Sequence, residues 1–271
     1  MNITFIGGGN MATALIGGLL NNKSYAAQEL SVVEVSEDAC AKLHNQFSIR
    51  ATTNLAQGVA GSGVIVLAVK PQQLREVCAQ LSALLNDQLI VSIAAGIRAG
   101  DISRWLNTPN IVRCMPNTPA LIQSGVTGLY ALPEVGSVQR EIAKNILNAV
   151  GSSVWLQEET MLDGVTAVSG SGPAYVFYFI EAMQQAAREL GFNETDAKRL
   201  VIDTFLGAAK LADASADEVS VLRARVTSKN GTTERALLSM ENDGVKQHIV
   251  AAVHAAAIRS KEMGNELGSA K

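Results

Sequence analysis

The segment Phe5-Ile-Gly7-Gly8-Gly9-Asn10-Met11-Ala12 decides the fold that this sequence predicts. It ends the β-branched run Ile3–Ile6 and opens a segment of helical length, which indicates a strand, a glycine turn and a helix. In such a turn Gly7 permits a sharp bend, Gly9 lets the backbone approach a ligand, and Ala12 is small enough for helix–strand packing. Phosphate is stabilised at the positive end of the helix. The motif predicts a dinucleotide site; the alternative is a glycine turn that binds nothing.

An acidic residue stands where this fingerprint expects one, about 20 residues further along the chain. It is Glu34, in the run Ser31-Val-Val-Glu-Val35. Its carboxylate is suited to accept hydrogen bonds from an adenosine ribose and to repel a 2′-phosphate, and no Arg or Lys occurs between Lys23 and Lys42. These features favour NADH over NADPH. The alternative is that Glu34 or Glu37 only caps the next helix.

The first half of the chain alternates short β-branched runs with segments of helical length. Runs such as Val64–Val69 are apolar throughout, as expected for strands covered by helices on both faces. This alternation predicts an α/β fold with a Rossmann-like, doubly wound parallel sheet. The predicted strands are Ile3–Ile6, Ser31–Val35, Val64–Val69, Leu89–Ile93 and Ile111–Cys114, and the predicted helices are Met11–Asn21, Glu37–Gln46, Pro71–Leu85 and Gly100–Leu106.

The second half contains alanine-rich segments of helical length and no strand-like runs. We therefore expect two domains, a dinucleotide-binding domain over residues 1–163 and an all-helical domain over residues 164–271. The apolar stripe of the last helix serves either as intrachain core or as a subunit interface. The predicted helices are Pro173–Leu190, Glu194–Asp213, Asp217–Val226, Thr233–Asn242 and Val245–Leu267.

Composition excludes several classes of protein. Of the 271 residues, 48% are hydrophobic and 17% charged, so the chain can bury a large core and is not a disordered scaffold. The net charge of −3 lacks the basic surplus that nucleic-acid backbones attract. The longest apolar run, Val64–Val69, is far shorter than the roughly 20 residues of a membrane span. We expect neither nucleic acid nor membrane as a partner.

The cysteines and the first residues favour a cytoplasmic location. Cys40, Cys78 and Cys114 have no spacing typical of a zinc site, and an odd, scattered set is typical of a reducing compartment. The start, Met1-Asn-Ile-Thr-Phe-Ile6, lacks the charged flank and cleavage pattern of a secretory signal.

Three further segments follow predicted strands, where ligands bind in open parallel sheets. They are Ala68-Val-Lys70-Pro71, Ala94-Ala-Gly96 and Met115-Pro-Asn117-Thr118-Pro119. Lys70 faces either a cofactor phosphate or hydroxyl, or only solvent. The last segment is a stiff polar loop suited to position a nicotinamide, although alone it would indicate only a turn.

Two segments of the helical half stand at predicted helix starts. Val168-Ser-Gly-Ser-Gly-Pro-Ala-Tyr175 either receives an anion on its backbone amides or simply caps the helix. Thr227-Ser-Lys-Asn-Gly-Thr-Thr233 combines residues that tolerate unusual backbone angles with two hydroxyls at a positive helix end. The second segment has the features of a receptor for a carboxylate.

Taken in order, these motifs resemble the pyrroline-5-carboxylate reductase family over nearly the whole chain. The segments Val168–Tyr175 and Gly231-Thr-Thr233 are more specific to it than the glycine fingerprint. The resemblance implies NAD(P)H-dependent reduction of the C=N bond of 1-pyrroline-5-carboxylate to L-proline, the last step of proline biosynthesis. It also implies a homodimer interlocked through the helical domain, and often a decamer.

The resemblance assigns site residues by position. Thr233 hydrogen-bonds to the ring nitrogen and is the catalytic candidate, and Ser171, Asn230, Gly231, Thr232 and Thr233 bind the substrate. The cofactor-binding candidates are Ile6, Gly7, Gly8, Gly9, Asn10, Met11, Glu34, Asn54, Ala68, Val69, Lys70, Pro71, Ala94, Ala95, Gly96 and Asn117.

The chain departs from the family pattern at two points. The family commonly has Pro-Gly-Gly-Thr-Thr where this chain has Lys229-Asn230-Gly-Thr-Thr233, and Asn tolerates the left-handed backbone that glycine adopts. Members often favour NADPH, whereas Glu34 favours NADH.

Two other functions remain open from the residues alone. One is another two-domain imine or hydroxy-acid dehydrogenase, and the other is a catalytically silent dinucleotide-sensing scaffold. Hydroxy-acid oxidation needs a base, and the segment Thr227–Thr233, which we call the paired-threonine segment, offers only Lys229. The three histidines lie in predicted helices, and no metal-ligand spacing is present.

Overall fold

The computed structural model describes residues 1–269. In this range eight strands form a single sheet in the order β3-β2-β1-β4-β5-β6-β7-β8. Their bounds are β1 Asn2–Ile6, β2 Leu30–Val33, β3 Arg50–Thr52, β4 Ser62–Leu67, β5 Leu89–Ser92, β6 Ile111–Met115, β7 Gly125–Ala131 and β8 Gly151–Trp155.

The sheet brings the carboxyl ends of its parallel strands to one edge. Ile6 pairs with Val33 on one side and with Leu67 on the other, Leu67 pairs with Ser92, and Ser92 pairs with Arg113. The Rossmann-like prediction is confirmed. One pair departs from it, because β7 runs antiparallel to β6. The loops after β1, β2, β4 and β5 therefore start beside one another.

Twelve α-helices surround or follow the sheet in the described range. Those of the first half are α1 Asn10–Asn21, α2 Glu37–Phe47, α3 Leu55–Val59, α4 Pro71–Leu81, α5 Ala99–Leu106, α6 Ser137–Asn148 and α7 Met161–Val165. Those of the second half are α8 Gly172–Glu189, α9 Glu194–Asp213, α10 Val219–Arg225, α11 Thr232–Asn242 and α12 Val245–Ser269. Short 3-10 turns span Ala27–Glu29, Ser82–Leu84 and Thr118–Ile122, and a π-helical turn spans Thr166–Gly170.

Alternate residues of the central strands pack on opposite faces of the sheet. Val64 and Val66 join one hydrophobic cluster, whereas Ile65 and Leu67 join the other. All four side chains are fully buried. Burial on both faces is the reason that this strand is apolar throughout rather than alternating.

The elements that the sequence did not predict carry weak local signals. Strand β3 has three residues, β7 contains two glycines, and β8 begins with Gly-Ser-Ser. Helix α6 was also missed, although its amphipathic pattern buries Ala143, Ile146 and Leu147. The predicted strand Ser31–Val35 ends at Val33, so Glu34 lies beyond the sheet.

The chain divides into two compact units. The first comprises Met1–Ser171 and the chain from Ala256 onward, and the second comprises Gly172–Ala255. Helix α12 returns to the first unit because its last turns pack there. The buried Ser260 hydroxyl donates to Asp163 Oδ1 at 2.7 Å, and Leu267 packs against one of the two sheet clusters. The sequence prediction of a boundary at residue 163 did not include this return.

The second unit exposes much apolar surface. Its buried apolar side chains in the described structure are Ala197 and Val201, whereas Phe177, Tyr178 and Leu211 are more than half exposed. Exposed aliphatic and aromatic side chains at this density are typical of a surface that another protein covers. No helix in the described part of the chain is long and apolar enough to cross a membrane.

Two adjacent glycines of α1 provide a matched test of the packing. A Cβ added to Gly18 would overlap the carbonyl oxygen of Ala149 and lie 2.8 Å from Val150 Cγ1, whereas one added to Gly17 would meet Phe47 Cε1 at 3.5 Å, an ordinary contact. We expect Gly18→Ala to lower the free energy of unfolding by about 1–3 kcal/mol through overpacking. Gly17→Ala should leave it unchanged or raise it by about 0.5–1 kcal/mol, because alanine favours helix. Urea unfolding of both variants measures this, and equal midpoints would contradict the described α1 packing.

Candidate active site

The glycine turn after β1 has a conformation that requires glycine at its first position. Gly7 has φ of +96°, and its amide donates to Val33 O at 2.9 Å. A Cβ at Gly7 would lie 2.8 Å from the carbonyl oxygen of Ala68, in the loop after β4. The absence of a side chain at Gly7 thus lets the loops after β1 and β4 touch.

The amino end of α1 is an open cradle for an anion. Gly9 caps the helix without a side-chain hydrogen bond, and its first turn contains no acidic residue. The first amides of a helix have no intrahelical acceptor, so those of Asn10, Met11 and Ala12 are available to a ligand. A Cβ at Gly9 would have no atom within 4 Å. A pyrophosphate group fits these donors, which agrees with the dinucleotide site that the motif predicts.

Glu34 lies beside this cradle and does not cap α2. Its Oε1 accepts from the amide of Gly8 at 2.5 Å, and its Oε2 accepts from the amide of Val35 at 3.0 Å. Helix α2 is capped by Ser36, whose Oγ accepts from Ala39 N at 3.1 Å. The capping alternative for Glu34 is therefore wrong. The carboxylate is held half-buried against the glycine turn, where an adenosine ribose is expected.

Glu37, the other residue considered as a cap, also has a different partner. Its Oε1 accepts from the Thr53 hydroxyl at 2.9 Å, which ties the start of α2 to the loop after β3. Asn54, a predicted cofactor residue in this loop, caps α3: its Oδ1 accepts from Gln57 N at 3.0 Å. Its role toward a cofactor stays a prediction.

The loop after β4 borders the glycine turn. The amide of Ala68 donates to Ile6 O at 2.8 Å, and Val69 Cγ1 would lie 3.1 Å from a Cβ on Gly7. Lys70 is exposed and precedes α4, whose first residue is Pro71. The structure thus brings together the predicted residues of the first, second and fourth strand ends, and it leaves both possibilities for Lys70 open.

The loop after β5 is more enclosed than the sequence predicts. Ala94 and Gly96 are buried, and Ala95 is partly exposed. Gly96 has φ of +73°, and a Cβ there would meet Leu267 Cδ1 at 3.3 Å and Met263 Cβ at 3.5 Å. The end of α12 therefore covers this loop. Any contact of the loop with a cofactor would be made by its backbone and by Ala95.

The loop after β6 contacts the start of the segment Val168–Tyr175, which we call the serine-glycine segment. Asn117 Nδ2 donates to Ser169 O at 3.2 Å, and its Oδ1 accepts from Val126 N at 2.9 Å. A Cβ on Gly170 would lie 2.8 Å from Met115 Cε. Both ends of the buried Asn117 side chain thus have protein partners. If Asn117 helps to position a nicotinamide, as predicted, it does so by fixing the shape of the loop and not by direct contact.

The serine-glycine segment contains the π-helical turn Thr166–Gly170, a feature frequent at functional sites. The amide of Ser171 closes this turn by donating to Thr166 O at 2.8 Å. The Ser171 side chain has no hydrogen-bond partner in the described structure, so its hydroxyl is available to a ligand.

Sequence reasoning missed an ion pair that braces this edge of the sheet. Arg113 Nη1 in β6 contacts Glu159 Oε1 at 2.9 Å, and that same oxygen accepts from the amide of Ala99, at the start of α5, at 2.7 Å. The Arg113 side chain is only 7% exposed. The sequence does contain a signal for this pair, because Arg113 lies within the apolar run Ile111-Val-Arg-Cys-Met115 and a buried charge needs a partner.

The paired-threonine segment of the second unit is a turn followed by the start of α11. Asn230 has φ of +61°, which confirms that asparagine adopts the left-handed backbone here. The amide of Asn230 donates to Glu234 Oε2 at 2.7 Å, and that of Gly231 donates to Ser228 O at 3.0 Å. Of the four residues of this segment predicted to bind the substrate, Asn230 and Gly231 therefore have amides that are already bonded within the chain.

The remaining donors are the amides of Thr232 and Thr233, in the first turn of α11. Gly231 caps this helix without a side-chain hydrogen bond. The hydroxyl of Thr233 has no hydrogen-bond partner among the described residues. Two amides and one hydroxyl at the positive end of a helix suit a carboxylate next to a second polar atom.

The cysteines take no part in this chemistry. All three are buried thiols. Burial raises the pKa of Cys78 to about 12, and it also raises the pKa of Cys114 and of Cys40. The thiolate is the reactive form, so burial disfavours reaction at these side chains. The described residues contain no group of three His, Cys, Asp or Glu side chains able to hold a metal ion.

Gly9→Val tests the pyrophosphate cradle. Because nothing lies within 4 Å of an added Cβ, the variant should fold normally and should lose cofactor affinity by about tenfold or more, since the valine fills the space of the ligand. Calorimetric titration with NADH and NADPH measures the affinity.

Gly136→Val is the matched control for this experiment. Gly136 caps α6 with a similar backbone, φ −68° and ψ 165°, and has equally open surroundings. It should bind both cofactors like the wild type. Unchanged affinity in Gly9→Val would show that the dinucleotide lies elsewhere.

The fold and the anion cradle define a dinucleotide-dependent oxidoreductase with a Rossmann-like sheet and a helical second unit. Comparison with known proteins identifies its family. Residues 159–263 match the family model described as pyrroline-5-carboxylate reductase dimerisation, and residues 2–96 match the model described as NADP oxidoreductase, coenzyme F420-dependent.

Similar proteins cover the chain almost completely. The pyrroline-5-carboxylate reductase of Pseudomonas aeruginosa is 47% identical over 98% of this chain and 98% of its own. The structure of the Coxiella burnetii pyrroline-5-carboxylate reductase is 39% identical, with a TM-score of 0.92, and covers 97% of this chain and 98% of its own. That of the Plasmodium falciparum pyrroline carboxylate reductase, with NADP bound, is 29% identical with a TM-score of 0.87 over the same shares. The chain belongs to the pyrroline-5-carboxylate reductase family.

Proposed function

We propose that this chain reduces the C=N bond of 1-pyrroline-5-carboxylate to L-proline with NADH or NADPH, as the last step of proline biosynthesis. The observation that carries the proposal is the pair of free amides and the free Thr233 hydroxyl at the start of α11. A carboxylate and a ring nitrogen are the two polar groups of this substrate. The full-length relatives that bear this name support the same reaction.

The first unit holds the cofactor in this proposal. The amides at the start of α1 bind its pyrophosphate, and Glu34 accepts hydrogen bonds from the adenosine ribose. The loops after β4 and β5 complete the site through Ala68, Val69 and Ala95. When bound, the reduced nicotinamide supplies the hydride that the imine carbon accepts.

The preference between the two cofactors follows from charge. Glu34 is held by the amides of Gly8 and Val35, and Glu37 lies three residues further along the chain, at the start of α2. Two carboxylates at this position disfavour the 2′-phosphate of NADPH by like-charge repulsion. We propose that this chain uses NADH more efficiently than NADPH, although the structure of the Plasmodium falciparum relative contains NADP.

The second unit binds the substrate through its carboxylate. The amides of Thr232 and Thr233 donate to the two oxygens, where the α11 dipole favours negative charge. The Thr233 hydroxyl then hydrogen-bonds to the ring nitrogen and fixes the rotation of the ring about its carboxylate. Orientation of a reacting group can contribute several kcal/mol to catalysis.

This arrangement requires no dedicated general acid. A hydroxyl is a weak acid, so the ring nitrogen is best protonated as the iminium before reduction. The histidines are placed for other roles: His44 Nδ1 bonds to Ile49 O at 2.9 Å, and His248 and His254 are exposed on α12. In this proposal Thr233 holds the protonated nitrogen in position.

We propose a homodimer formed by the second unit, and a decamer of such dimers, in the cytoplasm. The apolar side chains exposed on α8 and α9 support the dimer, as does the dimerisation family model over residues 159–263. The three reduced, buried cysteines support a reducing compartment.

A steady-state assay tests the reaction directly. The purified protein should oxidise NADH or NADPH in the presence of 1-pyrroline-5-carboxylate, followed at the nicotinamide absorbance band, with L-proline confirmed as product. Turnover of a hydroxy acid or of a different cyclic imine in preference to this substrate would favour another dehydrogenase. Cofactor binding without turnover of any substrate would indicate a sensing scaffold.

Thr233→Val tests the role of the hydroxyl. Loss of one hydrogen bond to a charged nitrogen should lower kcat/KM for the imine by about tenfold, with little change in cofactor affinity. Thr233→Ser keeps the hydroxyl and is the matched control. Equal kinetics for the valine variant and the wild type would remove Thr233 from the mechanism.

Glu34→Ala tests cofactor selection. The ratio of kcat/KM for NADH to that for NADPH should fall by about tenfold, because a ribose acceptor and a repelling charge are both lost. Glu37→Ala makes the same change in net charge three residues further along the chain, at the start of α2, and should shift the ratio less. If both variants shift it equally, general charge rather than contact with Glu34 decides the preference.

A further inference from the structure

The turn that precedes α11 contains a strained residue. Asn230 has φ of +61°, a conformation that glycine adopts freely and that asparagine tolerates at a cost. Gly231, the next residue, packs closely against Ser228: a Cβ on Gly231 would lie 2.5 Å from Ser228 Oγ and 3.0 Å from Ser228 O. A hydrogen bond that holds Asn230 in its left-handed conformation would keep the backbone before Thr232 and Thr233 in place.

Glu234 supplies that interaction. It lies in the first turn of α11, and its Oε2 accepts from the amide of Asn230 at 2.7 Å. In a common capping box the third residue of a helix bonds to the amide of the cap residue, which here is Gly231. Glu234 reaches one residue further back, to the strained position, while the Gly231 amide bonds to Ser228 O. Its carboxylate thus fixes the turn rather than the cap.

We propose that Glu234 is a positioning residue for the substrate carboxylate, an inference that rests on the proposed function of this loop. By holding Asn230 in the left-handed conformation, Glu234 keeps the amides of Thr232 and Thr233 free and aligned for the carboxylate. Glu234 does not contact the substrate in this proposal. Its own negative charge disfavours a nearby anion, so any benefit to the substrate site comes from the hydrogen bond that it accepts.

A role in stabilising α11 through the helix dipole is the competing explanation, and a set of variants separates the two. Glu234→Gln keeps an acceptor oxygen but removes the charge, whereas Glu234→Ala removes both. Asn230→Gly removes the strain, so that the turn no longer needs the clamp. If Glu234 acts through the helix dipole, Glu234→Gln and Glu234→Ala should be equally impaired, because both remove the charge. The substitution Asn230→Gly should then not restore binding.

The experiment measures KM and kcat for 1-pyrroline-5-carboxylate in the full-length enzyme. Glu234→Ala should raise KM by about tenfold, with kcat and the KM for the cofactor changed by less than about threefold. In Glu234→Gln, the KM for 1-pyrroline-5-carboxylate should stay within about twofold of the wild-type value or be lower. The double variant Asn230→Gly/Glu234→Ala should recover a KM within about threefold of the wild type.

The outcomes that overturn the proposal are distinct from those that overturn the function. A wild-type KM in Glu234→Ala, or a double variant as impaired as Glu234→Ala alone, contradicts the positioning role. If Glu234→Ala fails to fold, an active double variant supports the role and an unfolded one overturns it. Absence of turnover in the wild type contradicts the proposed function itself.

Discussion

The structure depends on the contact between the loops after β1 and β4 at Gly7. The residue combines a left-handed backbone with an approach to the Ala68 carbonyl that leaves no space for a side chain. Any other residue would separate the two loops or twist the end of β1. This contact lies directly before α1, whose open amino end is the proposed cradle for the cofactor.

Around this contact the protein uses its polar groups sparingly. Glu34 bonds to the turn through Gly8, Asn117 bonds to Ser169, and the Arg113–Glu159 pair also holds the start of α5. Each of these side chains fixes backbone at the edge where the parallel strands end. The donors left for ligands are mainly backbone amides at two helix starts, α1 and α11. An enzyme whose cofactor supplies the hydride needs such positioning more than it needs acids and bases.

The first amides of α1 and α11 are left without side-chain caps in two different ways. At α1, a flexible glycine leaves the amides open and the surroundings empty. At α11, the cap is again a glycine, but the strained Asn230 before it is held by Glu234. In our proposal, this second arrangement lets a side chain in the first turn of a helix preserve an anion site without occupying it.

The sequence by itself determined the strand–turn–helix at the start, the α/β then all-helical order, and the motifs of the site, because these depend on local patterns of apolar residues and glycine. Only the tertiary structure decided which side chains remain free. The bonds from Glu34 to Gly8 and from Asn117 to Ser169, the return of α12 to cover Gly96, and the reversal of β7 all depend on residues distant in the chain or on the register of the sheet. Hydrogen bonding and packing of that kind are fixed by the folded neighbourhood, which no local pattern encodes.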